Sequence, residues 1–354
     1  MFFQDLLAAI AVVINGLPQG LLSLSYGFGL LPTAAGFLVG TIGMLVFGQV
    51  APISFQAESI VMAGSLGKNR VERLNIVFFT GIMMAVIGGL GLLNPTIDFI
   101  GPAILNSMMA GVGIMLAKAG ITMCKENKIA GGVAMISAIL VYFLTDSDLI
   151  YTIVISVFVS TIVHILVSRY SQKTEKDETP LDLSNEKFEP MKFICNYNVI
   201  RSVLALVTLQ IGGNIAYASV TGSIAGAAVD VDKITLYSGL ADSASAFLGG
   251  GPVEAIISGT AAAPNPVRSG VLMMVIMAAI LIAKFLPKVA RYVPSQSIAG
   301  FLFVLGALVV FPSNVSTGLS DAPMVAGVTT IVTSATDPFI GMVAGLIVRF
   351  FIGL

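Results

Sequence analysis

The chain has 354 residues, 56% of them hydrophobic and 10% charged, with a mean hydropathy of +0.96. Soluble domains carry about a quarter charged residues, so this composition is too poor in charge to clothe a water-facing surface. The net charge of −1 gives no basic surface for a nucleic acid, and what matters instead is where the charges sit along the chain.

Apolar runs long enough to cross a bilayer lie at 4–24, 33–50, 74–93, 97–118, 129–144 and 149–168. The start, Met-Phe-Phe-Gln-Asp, has no basic n-region, so the first helix is expected to stay in the mature protein. A charged linker, 169–198, reads as a solvated hinge. After it come further runs at 199–219, 234–248, 267–286, 296–312, 323–336 and 338–354. Two more segments, 51–66 (APISFQAESIVMAGSL) and 249–263 (GGGPVEAIISGTAAA), are too short and broken for ordinary spans. Counted as elements 3 and 10, they bring the total to fourteen, seven on each side of the linker. Setting Glu58 over Glu254 brings Ile60 onto Ile256, Asn69 onto Asn265 and Val71 onto Val267. One residue's change of offset brings Asn15 over Gln210 and Gln19 over Asn214. Seven is odd, so the second copy lies inverted in the membrane, the plan of many secondary transporters. The predicted fold is an all-α polytopic membrane protein: a 7+7 inverted repeat, with 1–168 and 199–354 as its two halves. Elements 3 and 10 are expected to be part extended and part helical.

In such folds the broken segments build the binding site, because non-helical backbone at membrane depth is tolerated only where it lines a cavity or is buried in protein. Each segment is expected to run straight into a small helix, near Gln56 and near Val253–Glu254, so that two helix N-termini point inward. Their partial positive charge suits a polar or anionic solute. Glu58 and Glu254 flank the breaks. An ionisable group within the membrane is costly and functional by default; each is a candidate proton carrier or hydrogen-bonding anchor, with helix-end electrostatics as the simpler alternative. Gln210 and Asn214 share a helix face, as do Asn15 and Gln19. Their amides fit a planar heterocycle edge or a polar anion, and equally fit hydrogen bonding between helices. Asp242 faces either the cavity or a structural partner. Phe55 and Tyr217 either stack on a ring or pack. His164, the only histidine, lies in an apolar run. Cys124 and Cys195 have no CxxC spacing and read as free thiols. HExxH, P-loop and GxSxG patterns are absent from the sequence, so an enzyme is not expected, nor a metal or cofactor.

The seven-plus-seven plan, the broken third and tenth segments, and the glutamate in GGGPVEAIISGTAAAPNPVRSG resemble the nucleobase–cation symporter-2 family, which shares its fold with sulfate permeases and bicarbonate transporters. The resemblance implies that Glu254 binds substrate and that Phe55 stacks on it. It also implies a core of elements 1–4 and 8–11 moving against a gate of elements 5–7 and 12–14. Gln210 and Asn214 stand where the uracil branch carries an acid and a histidine, so the usual titrating group of helix 8 is absent. The expectation is a multi-pass inner-membrane permease for a nucleobase or similar heterocycle, coupled to H+ or Na+. The alternative is an anion carrier of the same fold; the other is a membrane scaffold or enzyme. Lipid surrounds it, and assembly as a homodimer is left open. If every element crosses, all Lys and Arg except Lys233, Arg268 and Arg349 fall on one side. The positive-inside rule then puts both termini outside the cytoplasm, with Cys124 and Cys195 facing the reducing side.

Overall fold

The computed structural model describes residues 2–170, 185–290 and 293–353; most of the linker charge, including Lys173 and Lys176, lies outside the described residues. The chain is all-α and polytopic. Among the described residues, six helices are long and apolar enough to span a membrane: Phe2–Ser25, Leu30–Phe47, Arg70–Gly89, Pro102–Glu126, Tyr197–Ile215 and the continuous stretch Gln296–Asp321.

In chain order, α1 (Phe2–Ser25) and α2 (Leu30–Phe47) precede strand β1 (Ile53–Phe55) and α3 (Ala57–Leu66). Next come α4 (Arg70–Gly89), the short α5 (Leu93–Ile100), α6 (Pro102–Glu126), α7 (Lys128–Leu144) and α8 (Leu149–Tyr170). Beyond the linker, α9 (Tyr197–Ala225) and α10 (Val231–Phe247) lead into strand β2 (Val253–Ala255) and a 3-10 turn at Gly259–Ala262. Then follow α11 (Pro266–Ile282), the short α12 (Phe285–Ala290), α13 (Ala299–Val304), a π-helical stretch Leu305–Val310, α14 (Phe311–Asp321), α15 (Pro323–Ala335) and α16 (Pro338–Ile352).

Several boundaries moved from expectation for local reasons. The run at 97–118 is two helices, because Gly101 at φ 82° turns the chain and Pro102 starts a new helix. The run at 267–286 stops at Ile282, with Lys284 at φ 52° before α12. The π-helical stretch sits ahead of Pro312, which withholds the N–H that would reach the Leu308 carbonyl.

β1 and β2 form a two-stranded antiparallel sheet at the centre, pairing Ile53 with Ala255, Ser54 with Glu254 and Phe55 with Val253. All six residues are buried, so the pairing satisfies backbone groups that lipid could not. The ladder sets Ser54 opposite Glu254; Glu58 sits in the first turn of α3.

The second broken segment also departs from expectation. Glu254 lies in the strand itself, and no α-helix follows it. The Thr221 hydroxyl donates to Ile256 O (2.9 Å) and accepts from Ser258 N (3.3 Å), which keeps 256–258 open. Pro264 then cuts off helix growth. Only α3 brings an α-helix N-terminus inward.

The helices pack in two groups. In one, α10 packs against α4 and α2, α11 against α2 and α1, and α9 against α4 and α3. In the other, α6 packs against α13, α14 and α15, and α7 against α8 and α13. α4 and α10 approach backbone to backbone: a Cβ on Gly239 would stand 2.5 Å from Gly81 O and Ala85 N.

Polar contacts at the two ends of the bundle establish the crossings. At the linker end, Glu186 accepts from Leu30 N (2.6 Å) and Leu31 N (3.0 Å), Arg73 donates to Tyr26 O (2.7 Å), and Asn198 donates to Leu66 O (3.0 Å). Glu189 N donates to Leu248 O there (3.1 Å), and Arg201 pairs with Asp337 (2.6 Å). At the opposite end, Asp5 accepts from Asn265 N (3.0 Å) and pairs with Arg268, Gln49 accepts from Asp230 N (2.9 Å), and Arg349 donates to Ile100 O (2.8 Å). Residues 50–66 and 249–265 therefore each run from one end to the other, so both broken segments cross.

Candidate functional site

A cavity of about 220 Å³ lies between the two helix groups, beside β1. The first group gives it a polar wall: Asn15 and Gln19 from α1, Ser54 and Phe55 from β1, Gln56 and Glu58 at the start of α3, and Tyr217 from α9. Pro18 interrupts the hydrogen bonding of α1 between the two amides. Gly16 and Gly20 let α1 press onto β1, where a Cβ would stand 3.1 Å from Ser54 Oγ and from the Phe55 ring respectively. The second group gives a mostly apolar wall: Met109, Leu149, Phe301 and, from the π-helical stretch, Leu305, Val309 and Val310. Ser313 and Asn314 close one end.

Gln56 is the N-cap of α3 and makes no side-chain capping bond. The first N–H groups of a helix have no partner within it, so this uncapped end offers donors and a partial positive charge at the cavity. Tyr217 donates its hydroxyl to Glu58 Oε1 at 3.1 Å. Phe55 is buried and meets Phe37 edge-on, with ring centroids 5.3 Å apart.

The remaining expected site residues do not line the cavity. Gln210 Nε2 donates to Asp242 Oδ2 (2.8 Å) and to Glu254 Oε1 (2.7 Å), while Val253 N donates to Asp242 Oδ1 (2.6 Å). Asn214 reaches Thr235 Oγ1 and Ser238 Oγ on α10, each at 3.3 Å. The structure thus brings Asn15, Gln19, Phe55, Gln56, Glu58 and Tyr217 to one cavity and links Gln210, Asp242, Val253 and Glu254 in a buried network, with Asn214 bonded separately to α10. Sequence reasoning missed Ser54 and the whole apolar wall. Ser54 had a signal, as a hydroxyl next to the proline break; the apolar wall had only the VVFP pattern ahead of Pro312.

No family model matches the sequence, and no curated protein does. Solved structures do. The chain superposes on the transmembrane domain of a cyanobacterium bicarbonate transporter, BicA, with a TM-score of 0.72 at 14% identity, covering 97% of each chain. It matches SLC26A9 with a TM-score of 0.72 at 13% identity, over 99% of this chain and 65% of that one. The murine anion transporter Slc26a9 in its inward-facing state gives 0.72 and 13%, over 99% and 68%. The fold is a membrane-transporter fold. At this level of identity the likeness carries the architecture alone. It overturns the resemblance to the nucleobase–cation symporter-2 family, since these neighbours are bicarbonate and SLC26 proteins. The motif that suggested that family, 249–270, encodes backbone geometry: Gly249 at φ 100° turns the chain into β2, where Glu254 accepts from Gln210. Such features belong to the fold and do not report the solute.

Proposed function

We propose that the chain is a secondary transporter for a small anion, moved by alternating access together with a cation. The observation that carries this reading is the cavity itself: it opens at the uncapped start of α3, between a polar wall and an apolar one. At about 220 Å³ it is smaller than the roughly 300–1,000 Å³ of sites for drug-sized ligands. The fold neighbours include a bicarbonate transporter and an anion transporter, which agrees with that size and polarity. Elements 1–4 and 8–11 would form the core that holds the solute, and elements 5–7 and 12–14 the gate. A polar wall retains the solute's contacts while an apolar wall lets the core slide past without breaking hydrogen bonds. Glu58 would repel a lone anion, which is why a cation must accompany it.

The test is uptake of labelled bicarbonate, chloride and sulfate into proteoliposomes under imposed H+ or Na+ gradients. Saturable accumulation of one anion, driven by a cation gradient, is expected. Failure of all three to enter above protein-free vesicles overturns the reading.

A further inference from the structure

Alternating access requires the two helix groups to move against each other, so a contact that joins them at one end governs which side of the cavity opens. Arg201 and Asp337 make such a contact. Arg201 Nε and Nη2 donate to Asp337 Oδ2 at 3.0 and 2.6 Å. The Asp337 side chain is 0% exposed and that of Arg201 37%. Of the other ion pairs formed between described residues, Asp5–Arg268 and Asp230–Lys233 each lie inside the first group, and Lys187–Glu189 lies inside the linker.

Each partner is fixed to its own group. The start of α9 is tied to α4, where Asn196 and Asn198 donate to Glu72 Oε1 (3.1 Å) and Oε2 (2.9 Å). Asp337 is the N-cap of α16, its Oδ1 accepting from Ile340 N (2.9 Å), and α16 packs against α15 and α6 of the second group. Capping explains Asp337 by itself. It does not explain Arg201, because a cation in the opening turns of a helix faces the positive end of the dipole. Arg201 serves Asp337 and not its own helix.

The pair stands at the linker end, and there the cavity is shut. Gln19 and Phe301, lining residues toward that end, are buried, whereas the exposed lining residues Ile257 and Ser313 both lie toward the opposite end. Opening the linker end must part α9 from α16. The guanidinium would gain water, but the buried carboxylate would lose the charge that balances it, and a buried charge left without its partner is strongly unfavourable. We propose that Arg201 and Asp337 are positioning residues for transport: an ion-pair latch that holds the linker end of the cavity closed and breaks when that end opens. The latch rests on the alternating-access part of the proposed function and not on the identity of the solute.

Distances between spin labels test it in nanodiscs, with no transported solute present. Cys124→Ala and Cys195→Ala clear the background. Labels at Tyr197→Cys on α9 and Lys125→Cys on α6 span the groups at the linker end; labels at Ile224→Cys on α9 and Leu319→Cys on α14 span them at the opposite end. Without further changes, one short linker-end distance is expected. Arg201→Gln and, separately, Asp337→Asn, which keeps a capping side chain, should each raise the ratio of open to closed linker ends about tenfold or more. The opposite-end distance should shorten in the same population. Arg268→Gln breaks an ion pair to an equally buried carboxylate within one group and should leave both distances unchanged. Unchanged distances in both Arg201→Gln and Asp337→Asn overturn the latch. So does an equal shift in Arg268→Gln, or a lengthening at both ends, which is general loosening. Distances that switch as expected, in a protein that carries none of bicarbonate, chloride and sulfate into proteoliposomes, keep the latch and remove the transport reading. Uptake of an anion with no switch in either latch variant keeps the transport reading and removes the latch.

Discussion

Glu58, Asp242 and Glu254 are 5%, 0% and 2% exposed, and no basic side chain bonds to any of them among the described residues. Two of them share one amide: Gln210 Nε2 donates to both Asp242 and Glu254, and Val253 N donates to Asp242 as well. Gln210→Leu strips that donor from two buried carboxyls at once. Taking a hydrogen-bond donor from a buried acceptor costs about 1–3 kcal/mol, so this variant should melt below wild type in a nanodisc thermal scan. Glu254→Gln keeps the size of the side chain and removes one charge. It should express normally and transport about tenfold or more slowly, as expected when a supporting contact behind a site is lost. Wild-type uptake by Glu254→Gln would show that the network is structural only. Glu254 was legible in the sequence because a carboxylate beside a Gly-Pro break stands out. Gln210 and Asp242 were legible as polar residues in apolar runs, but their meeting with Glu254 was not, since Gln210 is 44 residues from Glu254 and 32 from Asp242 and only tertiary packing makes them neighbours.

At the level of elements, caps and close approaches set the helix ends and their spacing. Asp230 caps α10, accepting from Lys233 N (3.1 Å), and pairs with Lys233 Nζ (2.8 Å). Those Lys233 contacts hold its carboxyl below the ordinary value of 3.8. A carboxyl lowered on folding stabilises above its unfolded pKa and loses that share as pH falls through the folded one. Asp230→Ala should therefore cost about 1 kcal/mol at neutral pH, and the gap in Tm should close as pH drops below about 4. An equal gap at both pH values would deny the cap its role. The α4–α10 approach gives a sharper contrast. Gly239→Ala puts a methyl 2.5 Å from backbone atoms of α4, which have no rotamer to yield. Overpacking of this kind costs about 1–3 kcal/mol. Gly89→Ala, on α4 itself, meets only Leu236 Cδ1 at 3.6 Å and should melt at or above the wild-type temperature, since alanine favours helix over glycine.

For the whole molecule, the end-to-end contacts turn a conditional count into a definite prediction. Lys68, Arg70, Arg73, Lys187, Lys192, Arg201 and Lys284 belong to segments at the linker end of the bundle, whereas Lys233, Arg268 and Arg349 belong to the opposite end. Arg291 and the masked part of the linker lie outside the described residues. A cytoplasmic excess of Lys and Arg orients a polytopic protein, so the linker end should face the cytoplasm. Asp5 and Arg349 then lie on the outer side. Cys195 is exposed and Cys124 partly so, and both are at the linker end. A membrane-impermeant thiol reagent should leave Cys195 unlabelled in intact cells and label it in inside-out vesicles. Labelling from outside the intact cell would reverse the orientation.

Composition and the spacing of apolar runs were enough for the sequence by itself to determine a membrane protein of fourteen elements, because hydropathy over a span-length window is a local property that the bilayer reads directly. The two broken segments were equally legible, since proline and glycine act on the backbone where they stand. Glu58 and Glu254 looked like one matched pair from the sequence, yet Glu58 lines the cavity while Glu254, across the strand from Ser54, is taken up by Gln210. That division came from α9, which brings Gln210 to Glu254 and Tyr217 to Glu58. The absence of a helix after β2 was set by Thr221 reaching over from α9. Only the tertiary structure could decide which polar side chains share a cavity and which satisfy one another, because hydrogen bonds between distant segments leave no periodic trace in the sequence.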